Sequence, residues 1–259
     1  MSAKQRKKKE EPETVSDAES VIQEADGVCQ KCHGYGFVLI DDGTAVPCEC
    51  LPSKMIEELQ KQTMVPPKFA NKTLANFETP DKVRKLLREK ATEFHQNFKP
   101  LSEQHNGILM VGSTGSGKTH LSIAILKEVV AKGYTGLYYN VPELLNDLRD
   151  TYHQDSAQVE EDILSRAAGV DLLVLDDLGA ERTSGWVRDR LYLIINRRYE
   201  SLKPTIITTN LGMRELQDQV GERIVSRLSE MCPQRFEFPS EDFRRQFLDQ
   251  QMKRHIKGK

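Results

Sequence analysis

The chain has 259 residues, 37 basic against 39 acidic side chains and a formal charge of -2, a balance that argues neither for nor against nucleic acid. Its length allows one substantial domain and a smaller companion. No run approaches the roughly 18 to 20 apolar residues that cross a bilayer, and the start lacks the apolar core of a secretion signal, so a cytoplasmic protein with no membrane partner is expected.

Residues 1–26 carry a Lys/Arg run and an acidic, polar stretch with almost no large apolar side chains, too little surface to offset ordering, and read as a disordered charged tail. Residues 27–62 hold a predicted hairpin, Phe37 to Ile40 and a second extended piece ending at Cys48, then a short helix near 54–62. Cys29-x-x-Cys32 and Cys48-x-Cys50 bracket the hairpin, four of the chain's five cysteines. Clustering of this kind in a reducing compartment speaks for Zn²⁺, and four thiolates leave no open position, so the metal would be structural. His33 is an alternative ligand made awkward by its neighbour Cys32. Val65-Pro66-Pro67 stops helix, and residues 63–80 read as a linker to a domain over 81–259.

From there strands and helices alternate, the signature of a parallel sheet with crossover helices. The strand candidates are Gly107 to Val111, Gly136 to Asn140, Asp171 to Asp176, Thr205 to Thr209 and Gln234 to Phe238. Helices are expected over 118–132, 142–168 with a break, 184–202 and 213–230, and an amphipathic stretch over 240–254 follows. The fold class is therefore α/β, a five-stranded parallel sheet flanked by helices.

Gly112-Ser113-Thr114-Gly115-Ser116-Gly117-Lys118-Thr119 matches the G-x-x-x-x-G-K-[ST] phosphate loop, between a strand and a helix as the loop requires. Its glycines let backbone N–H groups close round phosphates; Lys118 adds a point charge, and the Thr119 hydroxyl suits Mg²⁺. His120 follows at once and is counted with the nucleotide site. Leu172 to Asp177 is an apolar strand ending in two carboxylates at the ligand-binding edge of such a sheet. Asp176 is expected to hold Mg²⁺, and Asp177 to orient or deprotonate the attacking water. Asn210 ends the next strand, where its amide can reach the water or the γ-phosphate.

Together GILMVGSTGSGKTHL (107–121), LLVLDDLGAE (172–181), IINRRY (194–199), PTIITTN (204–210) and GERIVSRL (221–228) resemble the AAA+ superfamily, specifically the DnaC/DnaI helicase loaders and IstB-like ATP-binding proteins. The resemblance covers roughly residues 65–250. It implies that Asn210 is a sensor of the γ-phosphate and that Arg227, with Arg223 as the alternative, is an arginine finger reaching ATP on a neighbouring subunit, hence self-association on ATP. Arg244, with Arg245 beside it as the alternative, resembles the arginine that contacts nucleotide from its own subunit. No helical lid domain is expected behind the 240–254 stretch, and the cysteine module resembles the zinc-binding region with which DnaI-like loaders grip the replicative helicase. Many superfamily members have Glu at Asp177; the shorter acid implies slow, partner-modulated ATP hydrolysis. The implied function is ATP-dependent loading of the replicative DNA helicase, with single-stranded DNA bound by the AAA+ assembly. The alternatives are an IstB-like transposition helper acting on duplex DNA and a nucleotide-bound adaptor without catalysis. Arg188, Arg190, Arg197 and Arg198 could meet phosphates, though their pattern is that of a solvated helix face.

Overall fold

Residues 172–175, Leu-Leu-Val-Leu, are fully buried, as a strand covered on both faces must be. In the computed structural model this run is a central strand of a parallel sheet. Residues 29–33, 35–40, 44–49, 53–100, 103–151, 157–181 and 184–240 are described. The expected tail at 1–26, Cys50, Arg244 and the amphipathic stretch beyond residue 240 lie outside them.

The chain divides into two compact units, residues 1–50 and 51–259. In the first, β1 (Phe37–Leu39) and β2 (Ala45–Pro47) form the expected antiparallel hairpin, with Val38 opposite Val46.

The second unit begins with α1 (Ser53–Lys61), so the unit boundary lies ahead of this helix, whereas the sequence reading grouped it with the cysteines. Leu59 packs on the core beside α3, which explains the grouping. The 63–80 segment, read as a linker, is packed as well. Thr63 O accepts from Tyr138 N at 2.8 Å, Leu74 and Phe77 are buried, and Lys127 donates to Ala70 O and Lys72 O. Helix α2 (Lys82–Gln96) was not anticipated, its apolar positions being diluted by charge. It starts at Asp81, whose side chain accepts from Arg84 N at 2.8 Å, and it buries Arg84, Leu87, Ala91 and Phe94, a helical stripe.

The sheet comprises β3 (Ile108–Val111), β4 (Gly136–Asn140), β5 (Leu172–Asp176), β6 (Thr205–Thr209) and β7 (Gln234–Glu237), all parallel, in the order β4-β5-β6-β3-β7. Side chains alternate between two cores, the period-two rule of strands. Leu172 and Val174 face the side covered by α2 and α3 (Lys118–Ala131), while Leu173 and Leu175 face the other. That second face is covered by α4 (Val141–Asp150), α5 (Ala157–Gly169), α6 (Gly185–Glu200), α7 (Met213–Val220) and α8 (Glu222–Met231). α4 and α5 are the broken 142–168 helix. The single helix expected over 213–230 is two, because Gly221 (φ 95°) sits between α7 and α8 in a conformation that a helix interior does not hold. Among the described residues no helix is long and apolar enough to cross a membrane.

Candidate nucleotide site

The strand order puts β6 between the strand feeding the phosphate loop, β3, and the strand ending in the two acids, β5. Register aligns Val111 with Thr209, and Leu175 with Ile207, so the ends carrying Gly112, Asp176 and Asn210 converge on one edge. Gly112 is required there, because a Cβ would lie 2.8 Å from Phe238 Cβ. Gly117 has φ 109°, and its Cβ would meet the Phe77 ring at 3.1 Å, so the loop lies tight against its backing side chains.

Lys118 Nζ donates to Gly112 O (2.8 Å), Ser113 O (2.9 Å) and Asn210 Oδ1 (2.6 Å), which holds the ammonium across the loop. Asn210 turns its amide nitrogen to Asp177 Oδ1 at 3.2 Å and so bridges loop lysine and second acid. Asp177 has φ 60°, a left-handed backbone uncommon for a non-glycine residue, with its N–H held by Thr208 Oγ1 at 3.0 Å. This bend sends consecutive acids different ways: Asp176 is buried and Asp177 lines the cavity.

Asp176 is buried within the site. It accepts from Thr119 Oγ1 (2.9 and 3.0 Å), Thr208 Oγ1 (2.7 Å) and the Tyr138 hydroxyl (2.8 Å). Burial pushes its carboxyl above the ordinary range, the Thr208 hydrogen bond opposes this, and the neighbouring Asp177 charge reinforces it. Burial, and then the charge of Asp176, likewise raise the Tyr138 phenol. A buried acid beside a threonine hydroxyl is a donor set of hard oxygens, which fits Mg²⁺.

A cavity of about 640 Å³ opens from the loop. Residues 114–120, Asp177 and Asn210 line one side, and Phe69, Lys72, Asn76, Phe77, Glu78 and Arg84 line the other. The second group lies in the segment read as a linker and in the unanticipated helix, so sequence reasoning did not find it. His120 lines the cavity and joins the two sides: its Nε2 is 2.9 Å from Thr73 O and 3.0 Å from Asn76 Oδ1, and its ring meets Phe77 edge-on at 5.2 Å. Burial lowers the His120 pKa, which favours the neutral ring.

Arg227 does not line this cavity. It donates to the Tyr192 hydroxyl at 3.1 Å and lies over the Tyr199 ring at 4.4 Å, on the surface of α8. The four arginines weighed for phosphate contact are all engaged: Arg188 with Asp218 O and Gln219 O, Arg190 with Glu160, and Arg197 with Glu161. Arg198 is fully buried among backbone carbonyls, which corrects its reading as part of a solvated face.

In the N-terminal unit the sulfurs of Cys29, Cys32 and Cys48 lie within 4.8 Å of one another, with Cys29 and Cys48 3.5 Å apart. Four thiolates at about 2.3 Å from one tetrahedral ion stand roughly 3.8 Å apart, so the cluster fits Zn²⁺. Gly36 N donates to Cys32 Sγ at 3.4 Å, the kind of outer hydrogen bond that orients a thiolate ligand.

Comparison with known proteins places this geometry. The family model described as IstB-like ATP binding protein matches residues 67–230. The uncharacterized protein YqaM of Bacillus subtilis is 30% identical over 71% of this chain and 60% of its own length. The replicative helicase loader DnaC of Escherichia coli is 34% identical over 45% of this chain and 47% of its own, so the chain spans about half the length of the curated relatives it matches. The crystal structure of the DnaC helicase loader superposes with a TM-score of 0.61 at 31% identity, covering 67% of this chain and all of that one.

Proposed function

The chain belongs to the IstB-like ATP-binding protein family, and we propose that it is an ATP-dependent loader of the replicative DNA helicase. The single observation that carries this reading is the likeness to the DnaC loader, in sequence and in fold, around a phosphate loop whose Lys118 and Thr119 meet the loop carbonyls and Asp176.

In this reading the residues 112–118 loop and Lys118 bind the phosphates of ATP, and Phe77, Asn76 and His120 bound the nucleoside end of the cavity. Thr119 and Asp176 would hold Mg²⁺, which supplies positive charge to the phosphates. Asp177 orients the attacking water, and Asn210 ties that acid to Lys118, so that the presence of a γ-phosphate is felt at both. Arg227 does not line its own cavity, which suits a finger donated in trans and an oligomer formed on ATP. Hydrolysis is slow until assembly or a partner completes the site. Arg244, from beyond the described residues, is proposed to join the nucleotide in its own subunit. The cysteine module, with Zn²⁺ on Cys29, Cys32, Cys48 and Cys50, docks the helicase, the AAA+ assembly holds single-stranded DNA, and hydrolysis drives release.

Co-elution of the full chain with the replicative helicase of the same cell, with and without ATP, tests this. A complex lost in the Cys29→Ser/Cys32→Ser variant supports the loader with its zinc dock. The absence of any complex, with preference for duplex over single-stranded DNA, turns the reading to a transposition helper, which the family description also accommodates.

A further inference from the structure

We propose that Tyr138 is a positioning residue for the Mg²⁺-binding carboxylate, an inference that rests on the reading of Asp176 as that group. Tyr138 stands on β4 opposite Val174 of β5, and Asp176 lies two residues beyond Val174 on the same face. The phenol spans that interval and donates to Asp176 Oδ2 at 2.8 Å. From the opposite flank, β6, Thr208 donates to Oδ1 at 2.7 Å. One donor per oxygen, each from a different neighbouring strand, fixes the plane of the carboxylate and prevents its rotation.

The third donor is of a different kind. Thr119 Oγ1 reaches both oxygens, at 2.9 and 3.0 Å, and is itself an expected ligand of the ion. Its lone pairs would face the ion while its O–H stays with Asp176, so Tyr138 and Thr208 are the two donors to Asp176 that would not themselves be ligands. Tyr138 suits this work because its own place is fixed: its side chain is buried, its backbone N–H donates to Thr63 O at 2.8 Å, and its ring meets Phe69 edge-on at 6.4 Å. A phenylalanine there would keep the same ring in the core, so packing alone does not call for a phenol whose oxygen must find a partner.

The test is Tyr138→Phe in the full chain, which removes one oxygen and keeps the ring. Binding of a fluorescent ATP analogue is titrated against Mg²⁺, with Asp176→Asn as a second variant and thermal unfolding measured alongside. Outer contacts to metal ligands typically account for 10- to 100-fold in metal affinity, so Tyr138→Phe is expected to raise the Mg²⁺ midpoint roughly tenfold. Affinity for the analogue without Mg²⁺ should stay within about twofold. An unmoved Mg²⁺ midpoint, with or without a fall in melting temperature, assigns Tyr138 to packing alone and overturns the proposal. If Asp176→Asn also leaves Mg²⁺ dependence intact, the assignment of Asp176 fails as well; if Asp176→Asn abolishes it and Tyr138→Phe does not move it, the positioning role alone fails.

Discussion

Replacing Arg198 should destabilise the whole unit of residues 51–259 while leaving its proposed nucleotide binding intact. The guanidinium is fully buried, and each nitrogen is engaged. Nε donates to Thr205 Oγ1 (2.9 Å), Nη1 to Ala167 O, Ala168 O and Val170 O (3.1, 3.1 and 2.8 Å), and Nη2 to Pro204 O (2.5 Å) and, more distantly, Asp171 O (3.4 Å). It thereby closes the C-terminal end of α5 onto the entries of β5 and β6, where a cation also meets the negative pole of the helix. Burial pulls its pKa down to about 9, so it stays charged at neutral pH. Hydrogen bonds from a charged donor contribute roughly 1.5 to 3 kcal/mol each, but the desolvation of the guanidinium offsets much of their sum. Truncation to Met relieves that desolvation and strands the carbonyls, some of which water can reach. The net loss expected is about 3 to 5 kcal/mol, the range seen when one partner of a buried charged network is removed. At roughly 2 to 4 °C per kcal/mol for a domain of this size, the melting temperature should fall by about 6 to 20 °C. Arg198→Lys keeps charge but not the planar fork and should lose about half as much. Urea denaturation and calorimetry of the two variants read this directly, and ATP affinity well below the melting point should change by less than about twofold. Arg198→Met within about 1 kcal/mol of the parent would show that the network is neutral on balance and refute the argument.

Mixing Lys118→Ala with Arg227→Ala subunits should restore ATPase activity that each lacks alone, since one then supplies a finger and the other a nucleotide; no recovery in assembled mixtures rejects donation in trans. Burial lowers the pKa values of His95, His105 and His120 below the usual 6.5, so the unfolded chain takes up protons first as pH falls. Their contribution to stability is therefore full above pH 6.5 and is lost as pH falls from there through the depressed folded values, a slope that His120→Asn should reduce in denaturation measured between about pH 5 and 7. A spectroscopic chelator should release about one Zn²⁺ per chain, and Cys32→Ser should abolish this while leaving ATP binding to residues 51–259 unchanged; retention of stoichiometric zinc by that variant would reject the ligand set.

The sequence by itself determined the parallel α/β class, the five strands nearly to the residue, and the gathering of Lys118, Thr119, Asp176 and Asn210 at one edge of the sheet. These are local signals: a phosphate loop needs its glycines and lysine in consecutive order, and a strand covered on both faces needs an unbroken apolar run. The hairpin with cysteines at its open end was legible for the same reason. Helix α2 escaped because charge masks its stripe, and the 63–80 segment because its prolines signal a break without saying what the chain packs against. What only the tertiary structure decided depends on which strands lie side by side and in what register. Tyr138 reaches Asp176 because β4 flanks β5; Thr208 reaches it because β6 flanks the other side; and Arg198, an ordinary member of a basic helix in sequence, is buried because the end of α5 and the start of β6 meet around it. Contacts such as Tyr138 to Asp176 and Thr208 to Asp176, 38 and 32 positions apart, leave no periodicity in the chain, so their chemistry appears only when the sheet is assembled.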